Sequence, residues 1–213
     1  MKKKPIPVKE LEPSKRINDF SEVVLGYNEE EAILEANRCL QCKNPSCISG
    51  CPVGIDIKKF IFQIRQKDYR GAYFTIREKN NFPSICGRVC PAEYQCRKSC
   101  ILTKKDAPFA SEEAINIHFL ERFIGDYGMK NNLEIPKNLD SKFSKFKVAV
   151  VGSGPAGLSC AGELARFGIK VVVFESLHKL GGVLRYGIPT FRLPRDILDF
   201  EINYLQRLKV EFV

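Results

Sequence analysis

Histidine is scarce in this sequence, with only His118 and His178 among 213 residues. The scarcity weakens readings built on histidine acid-base chemistry or on histidine-rich zinc sites. Also missing is any run near the ~18 consecutive apolar residues of a membrane helix. The longer apolar runs are short, as at Val148 to Val151. Met1 to Lys4 is basic like the start of a signal peptide, but Pro5 to Arg16 is proline- and charge-rich where an apolar core should follow. A cytoplasmic location is therefore expected. The formal charge of +9 would permit nucleic-acid binding, yet beyond the first sixteen positions the basic residues are dispersed. No helix-turn-helix, zinc-finger or RNP signature accompanies them, so a solvated surface or an acidic protein partner fits better. The length allows one large or two modest domains, and an apolar fraction of 44% is that of a globular chain.

Cysteine is what the sequence has instead. Eight of nine cysteines fall in two runs, Cys39-x2-Cys42-x4-Cys47-x3-Cys51-Pro52 and Cys86-x3-Cys90-Pro91-x4-Cys96-x3-Cys100. A thiolate is the soft ligand that iron-sulfur clusters need and that zinc also accepts. Structural zinc sites pair two C-x2-C knuckles, or a knuckle with histidines, and only one such knuckle is present. Cys47-x3-Cys51-Pro52 has the ending of a bacterial ferredoxin run. Two [4Fe-4S] clusters whose ligands are shared between the runs form the economical reading. Zinc scaffolding and a disulfide framework are its rivals, the latter disfavoured in a reducing compartment. Cys160 stands apart and reads as a small buried apolar residue.

Pro5 to Tyr27 reads as an irregular arm. Asn28 followed by Glu29, Glu30 and Glu31 is a capping-box start, and the helix it opens runs to about Leu40 with Ala32, Ala36 and Cys39 on one face. Cys42 to Gly54 is the loop that wraps the metal. Asp56 caps a second helix to about Lys67, with Ile57, Phe60, Ile61 and Ile64 on one face, and a third spans about Tyr69 to Glu78. Both should cover the clusters with apolar surface. Asn80-Asn81-Phe82-Pro83 is a breaker. Another helix should run from about Glu112 to Ile124, placing the carboxylate of Glu121 among Ile117 and Ile124. That carboxylate either meets a cation or metal, or swings out to a neighbouring Lys or Arg. Gly128 to Lys147 has the composition of an interdomain linker.

A different pattern begins at Lys147. A strand, Lys147 to Val151, leads into Gly152-Ser153-Gly154-Pro155-Ala156-Gly157. A helix follows from Leu158 to Phe167, and a second strand, Lys170 to Phe174, ends at Glu175. The glycine fingerprint follows a strand, opens a helix and has an acidic residue at the end of the next strand, which is the context of a dinucleotide site. Gly152 permits the tight turn, Gly154 the approach of a pyrophosphate and Gly157 close helix–strand packing, with the helix N-terminus favouring negative charge. Glu175 would hold ribose hydroxyls. Gly181 to Pro194 is too rich in glycine and proline for a regular element. Arg195 to Leu208 reads as a helix and Lys209 to Val213 as the start of a third strand. A doubly wound sheet that stops there is incomplete, so the chain reads as a fragment of a longer protein.

Together the two cysteine runs, the Ile115 to Arg122 segment, the Val151 to Gly157 fingerprint, Gly181 to Pro189 and Phe191 to Pro194 resemble one family. It comprises flavin and iron-sulfur NAD(P)H oxidoreductases: the small subunit of NADPH-dependent glutamate synthase, the amino-terminal part of dihydropyrimidine dehydrogenase and the large subunit of NADH-dependent ferredoxin:NADP oxidoreductase. The resemblance implies an α plus α/β architecture. Residues 1–142 would form an all-helical, alpha-helical ferredoxin-like domain with two [4Fe-4S] clusters. Residues 143–213 would form the first part of a Rossmann-like FAD domain, with NAD(P)H binding elsewhere in the full-length protein. It further implies one cluster on Cys39, Cys42, Cys47 and Cys100, and another on Cys51, Cys90, Cys96 and Glu121, with Cys86 left out. FAD would lie against Gly152, Ser153, Gly154, Pro155, Ala156, Gly157, Glu175, Gly182, Val183 and Arg192. The implied role is to pass electrons between FAD, the clusters and a large catalytic subunit or ferredoxin-type partner, without an acid-base residue. A metal-stabilised docking module without redox activity is the alternative from another class.

Overall fold

The computed structural model of the chain describes residues 4–103, 108–134 and 143–213. The chain divides into two compact units, one of Met1–Glu12 with Val24–Leu133 and one of Pro13–Val23 with Glu134–Val213. The expected domain boundary falls at the edge of 135–142, which lie outside the described residues; the first three positions of the expected linker, Gly128 to Lys130, instead close the last helix of the first unit.

The amino-terminal arm is less irregular than its sequence suggests. β1 (Lys9–Glu10) pairs antiparallel with β2 (Val24–Gly26), and α1 (Pro13–Arg16) lies between them in sequence. α2 (Glu29–Asn37) starts on the expected capping box, in which Asn28 accepts from Glu31 N and Glu31 accepts from Asn28 N. Such a cap contributes about 1 kcal/mol. The helix ends at Asn37, so Cys39 follows the last turn instead of riding on it. A single turn, α3 (Ser46–Ser49), carries Cys47. α4 (Ile57–Arg65) and α5 (Tyr69–Arg77) are each capped by an aspartate, Asp56 accepting from Lys59 N and Asp68 from Gly71 N. Ile57, Phe60, Ile61 and Ile64 are all buried, as the 3.6-residue period requires.

Pro83, expected to break structure, instead occupies the first turn of α6 (Pro83–Val89), where its missing N–H costs nothing. The last helix of this unit, α7, runs Ile117–Lys130, five residues later at its start and six later at its end than the sequence pattern suggests. α6 and α7 meet backbone to backbone. A Cβ on Gly87 would stand 2.5 Å from Arg122 Cα and one on Gly125 would stand 2.6 Å from Ser84 N, so only glycine allows this approach. Arg88 then clamps Asp126 through two hydrogen bonds of 2.6 and 2.9 Å.

The second unit holds a three-stranded parallel sheet in the order β3 (Lys147–Val151), β4 (Lys170–Phe174), β5 (Glu211–Phe212). Lys147 pairs with Lys170 and Val172 with Glu211, so the three strand ends carry Gly152, Glu175 and Val213 to one edge. α8 (Pro155–Arg166) buries Leu158, Ala161, Gly162 and Ala165. Cys160 lies off that stripe and is exposed, contrary to expectation. The glycine-rich loop contains one helical turn, α9 (Val183–Tyr186), and leads to α10 (Arg195–Arg207). Among the described residues, no helix is long and apolar enough to cross a membrane.

Candidate metal centres and dinucleotide site

The first cysteine group is assembled from both runs. Cys39, Cys42, Cys47 and Cys100 line one small cavity of about 30 Å³, whose walls are aliphatic, Ile57 and Ile61 from α4 with Ile115 and Ile117 at the entry to α7. Two features bring the runs together. Ser46 Oγ donates to Ser99 O at 2.8 Å, and Gly50 sits so close that a Cβ would meet the Ser99 side chain. A buried carboxylate fixes the rest. Glu35 accepts from Arg38 Nη1 at 2.6 Å, Asn116 N at 2.8 Å and Ile6 N at 2.8 Å, joining the arm, the end of α2 beside Cys39 and the entry to α7. Gln41, with φ of 51°, turns its side-chain amide toward Cys39 Sγ at 3.5 Å.

Burial and neighbouring thiolates oppose ionisation of Cys39 and Cys47. Burial raises Cys39, with the neighbouring charges of Cys100 and Cys42 adding to it. Cys47 is pushed up to about 12 by burial and then by Cys100, Cys39 and Cys42. Thiols that raise one another in an apolar cavity call for a cation to bind as thiolates.

The second group gathers where α6 meets α7. Cys90 caps α6, Cys96 is buried six residues later, and Glu121 is buried on α7 with Ile117, Leu120 and Ile124. Glu121, Cys51 and Cys90 act together on Cys96, whose thiol is raised chiefly by burial. Cys90 is pushed up to about 12 by burial first, then by Glu121, Cys51 and Glu93. Glu121 itself rises to about 7 because it is buried, despite a hydrogen bond from Asn80 Nδ2 at 2.6 Å. It has therefore turned into the protein and not out to a lysine or arginine. Asn80, missed in the sequence, lies 41 residues away and only the fold brings it near. Cys86 stands on α6 with its Sγ 3.6 Å from Asn80 Oδ1. Among the described residues, no three His, Cys, Asp or Glu side chains converge as ligands of a single metal ion would. The first four thiols surround a cavity instead, the arrangement suited to a multi-atom cluster.

In the second unit Gly152 has φ of 90°, and a Cβ on Gly157 would stand 2.0 Å from Gly152 O. No atom lies within 4 Å of a Cβ built on Gly152 or Gly154, which leaves the turn open to a ligand's close approach. Pro155 and Ala156 open α8 beside it. An open cleft at the strand ends is lined by Gly152, Glu175, Ser176 and Val213. Glu175 is engaged within the protein: Oε2 accepts from Ser153 N at 2.8 Å and Ser153 Oγ at 2.5 Å, and Oε1 accepts from Leu177 N at 2.9 Å. These bonds, the Ser153 hydroxyl first, hold its carboxyl down at about 2. Ser153 Oγ also accepts from Gly181 N at 3.0 Å, and Gly182 packs against Gly154. Val183 begins α9, and Arg192 lies exposed in the turn before α10.

Residues 16–133 match the family described as dihydropyrimidine dehydrogenase domain II, 4Fe-4S cluster, and residues 150–207 match an NAD(P)-binding Rossmann-like domain. The chain is 39% identical over 193 residues to an NAD-dependent dihydropyrimidine dehydrogenase subunit PreT homolog of Salmonella typhi, covering 91% of this chain and 45% of that protein. It is 38% identical to the PreT subunit of Escherichia coli K12, with the same coverage. It is 33% identical over 192 residues to the small chain of NADPH glutamate synthase from Azospirillum brasilense, covering 90% of this chain and 39% of that one. The chain thus spans less than half the length of these curated relatives. With its matched region covering both cysteine runs and Glu121, the chain belongs to the dihydropyrimidine dehydrogenase domain II, 4Fe-4S cluster family.

Proposed function

We propose that this chain is the electron-transfer module of an NAD(P)H-dependent flavin and iron-sulfur oxidoreductase. Cys39, Cys42, Cys47 and Cys100 would hold one [4Fe-4S] cluster. Cys51, Cys90, Cys96 and Glu121 would hold a second. The observation that carries the reading is the common aliphatic cavity lined by four thiols from two distant runs. Half-buried thiols such as Cys39 and Cys47 are poor at ionising alone and bind as thiolates to a cationic metal cluster, so the donor set fits the group. The aliphatic walls from α4 would keep water from it and so bias its potential.

Gly152, Gly154 and the start of α8 would receive the pyrophosphate of FAD, with Ser153, Pro155, Ala156 and Gly157 shaping the turn. Glu175 faces the same cleft, and Gly182, Val183 and Arg192 belong to the loop beyond it. When bound, FAD would exchange an electron pair and the clusters single electrons. The relatives are described as a subunit and a small chain, which supports a large catalytic subunit or ferredoxin-type protein as partner.

Anaerobically purified protein assayed for iron, sulfide, zinc and flavin tests the reading. About eight iron and eight sulfide per chain are expected for two cubes, with visible absorption that dithionite bleaches. A colourless protein containing zinc would overturn it and leave the docking role.

A further inference from the structure

We propose that Asn80 is the positioning residue for the Glu121 carboxylate, and that Cys86 anchors Asn80 instead of serving as a cluster ligand. The inference rests on the reading that Glu121 faces the second cluster. Asn80 lies in the turn between α5 and α6 and is buried. Its two side-chain atoms are committed in opposite directions. Oδ1 accepts from Phe82 N at 2.9 Å and stands 3.6 Å from the Cys86 thiol, while Nδ2 donates to Glu121 Oε1 at 2.6 Å.

The amide cannot be turned round. A backbone N–H is only a donor, so the atom facing Phe82 N must be the oxygen, and the NH2 group must then face Glu121. Glu121 in turn cannot escape to water, because α7 is held against α6 at Gly87 and Gly125. One carboxylate oxygen is thereby satisfied without bringing in a second charge. Arginine or lysine in the same place would neutralise the carboxylate and weaken it as a ligand; an amide donor orients it and leaves its charge intact. A hydrogen bond donated to a ligand also withdraws electron density, which favours the reduced cluster. Cys86, on the first turns of α6, donates its S–H to the same Oδ1 and completes the anchor.

The test compares Asn80→Asp, Asn80→Leu, Cys86→Ala and Glu121→Ala in the whole chain, purified without oxygen. The readouts are iron content and redox-monitored electron paramagnetic resonance. Asn80→Leu keeps the volume and removes the donor without adding charge, whereas Asn80→Asp sets an acceptor against Glu121, so a potential shift shared by both variants reports the lost hydrogen bond and not carboxylate repulsion. In both Asn80 variants the signal of one cluster should change and its midpoint move to lower potential, with the other cluster unaltered. Selective loss of that one cluster, halving the iron, is the stronger form of the same result. Cys86→Ala should retain the full iron content. Wild-type signals and midpoints for both clusters in the Asn80 variants would overturn the inference, as would equal loss of both clusters. Loss of half the iron from Cys86→Ala would make it a ligand and overturn the second part. If Glu121→Ala leaves both signals intact, the carboxylate is no ligand and the underlying assignment has failed; if it alters one while Asn80 variants do not, only this inference has.

Discussion

Gly87→Ala measures how strictly the second site depends on helix contact. Alanine at this position would place its Cβ 2.5 Å from both Arg122 N and Arg122 Cα, where ordinary contact begins at 3.4 Å. The difference, 3.4 minus 2.5, is 0.9 Å, and no rotamer relieves it because the opposing atoms are backbone. Two effects compete. Alanine favours the helix over glycine by up to about 1 kcal/mol. Overpacking a tight contact costs about 1–3 kcal/mol, and rigid backbone puts this case at the upper end. The clash should win by about 2 kcal/mol, which for a unit of this size lowers the melting temperature by about 8 °C. Arg122 follows Glu121, and Cys90 lies one turn beyond Cys86 on α6, so the same displacement separates the carboxylate from its cysteines. Iron should therefore fall toward about four per chain, the first cysteine group keeping its cluster. Circular dichroism melting and iron analysis on one preparation provide the check. A variant that melts at or above the wild-type temperature with full iron would refute the close-packing argument.

Three further substitutions probe the rest. Cys42→Ala should halve the iron and sulfide, since it removes one thiol from the first cavity, and unchanged content would detach that cysteine from the metal. Gly157→Ala forces a Cβ to 2.0 Å from Gly152 O and should lower added-FAD affinity at least tenfold, measured by flavin fluorescence; an unchanged Kd would place the dinucleotide elsewhere. Glu175→Gln should loosen the glycine turn in a pH-dependent way. The Glu175 carboxyl is held at about 2 against its ordinary 4.5, so its stabilisation is present above 4.5 and lost as pH falls through about 2. Hydrogen-exchange protection of the β4 amides should differ between variant and wild type at pH 7, and the gap should narrow on acidification.

Local signals in the sequence located much of this fold. The capping box at Asn28 and the apolar stripe of α4 depend on residues a turn apart, as do the ends of β3, and the structure has them where the pattern puts them. The failures come where distant residues decide. Glu112 and Glu113 look like a helix start, yet the Glu113 carbonyl is taken by Arg38 Nη2 and Asn116 N by Glu35, so the helix waits until Ile117. Pro83 reads as part of a breaker, but a proline fits the first turn of a helix as well as it stops one, and here it opens α6. The short β1–β2 pair has too few residues to show a period. Cys160 was misread although the signal existed, since Leu158, Ala161, Gly162 and Ala165 define a face that excludes it. At the proposed cluster sites the residue types and spacing were legible, but the Asn80–Glu121 bond was not, because no local pattern links residues 41 apart.

Anomalous diffraction at the iron absorption edge from anaerobically grown crystals tests the central claim most directly. Two separate iron peaks are expected, one in the cavity lined by Cys39, Cys42, Cys47 and Cys100 and one between Cys51, Cys90, Cys96 and Glu121. A single peak, or scattering at the zinc edge in place of iron, would contradict a module that conducts electrons through two clusters.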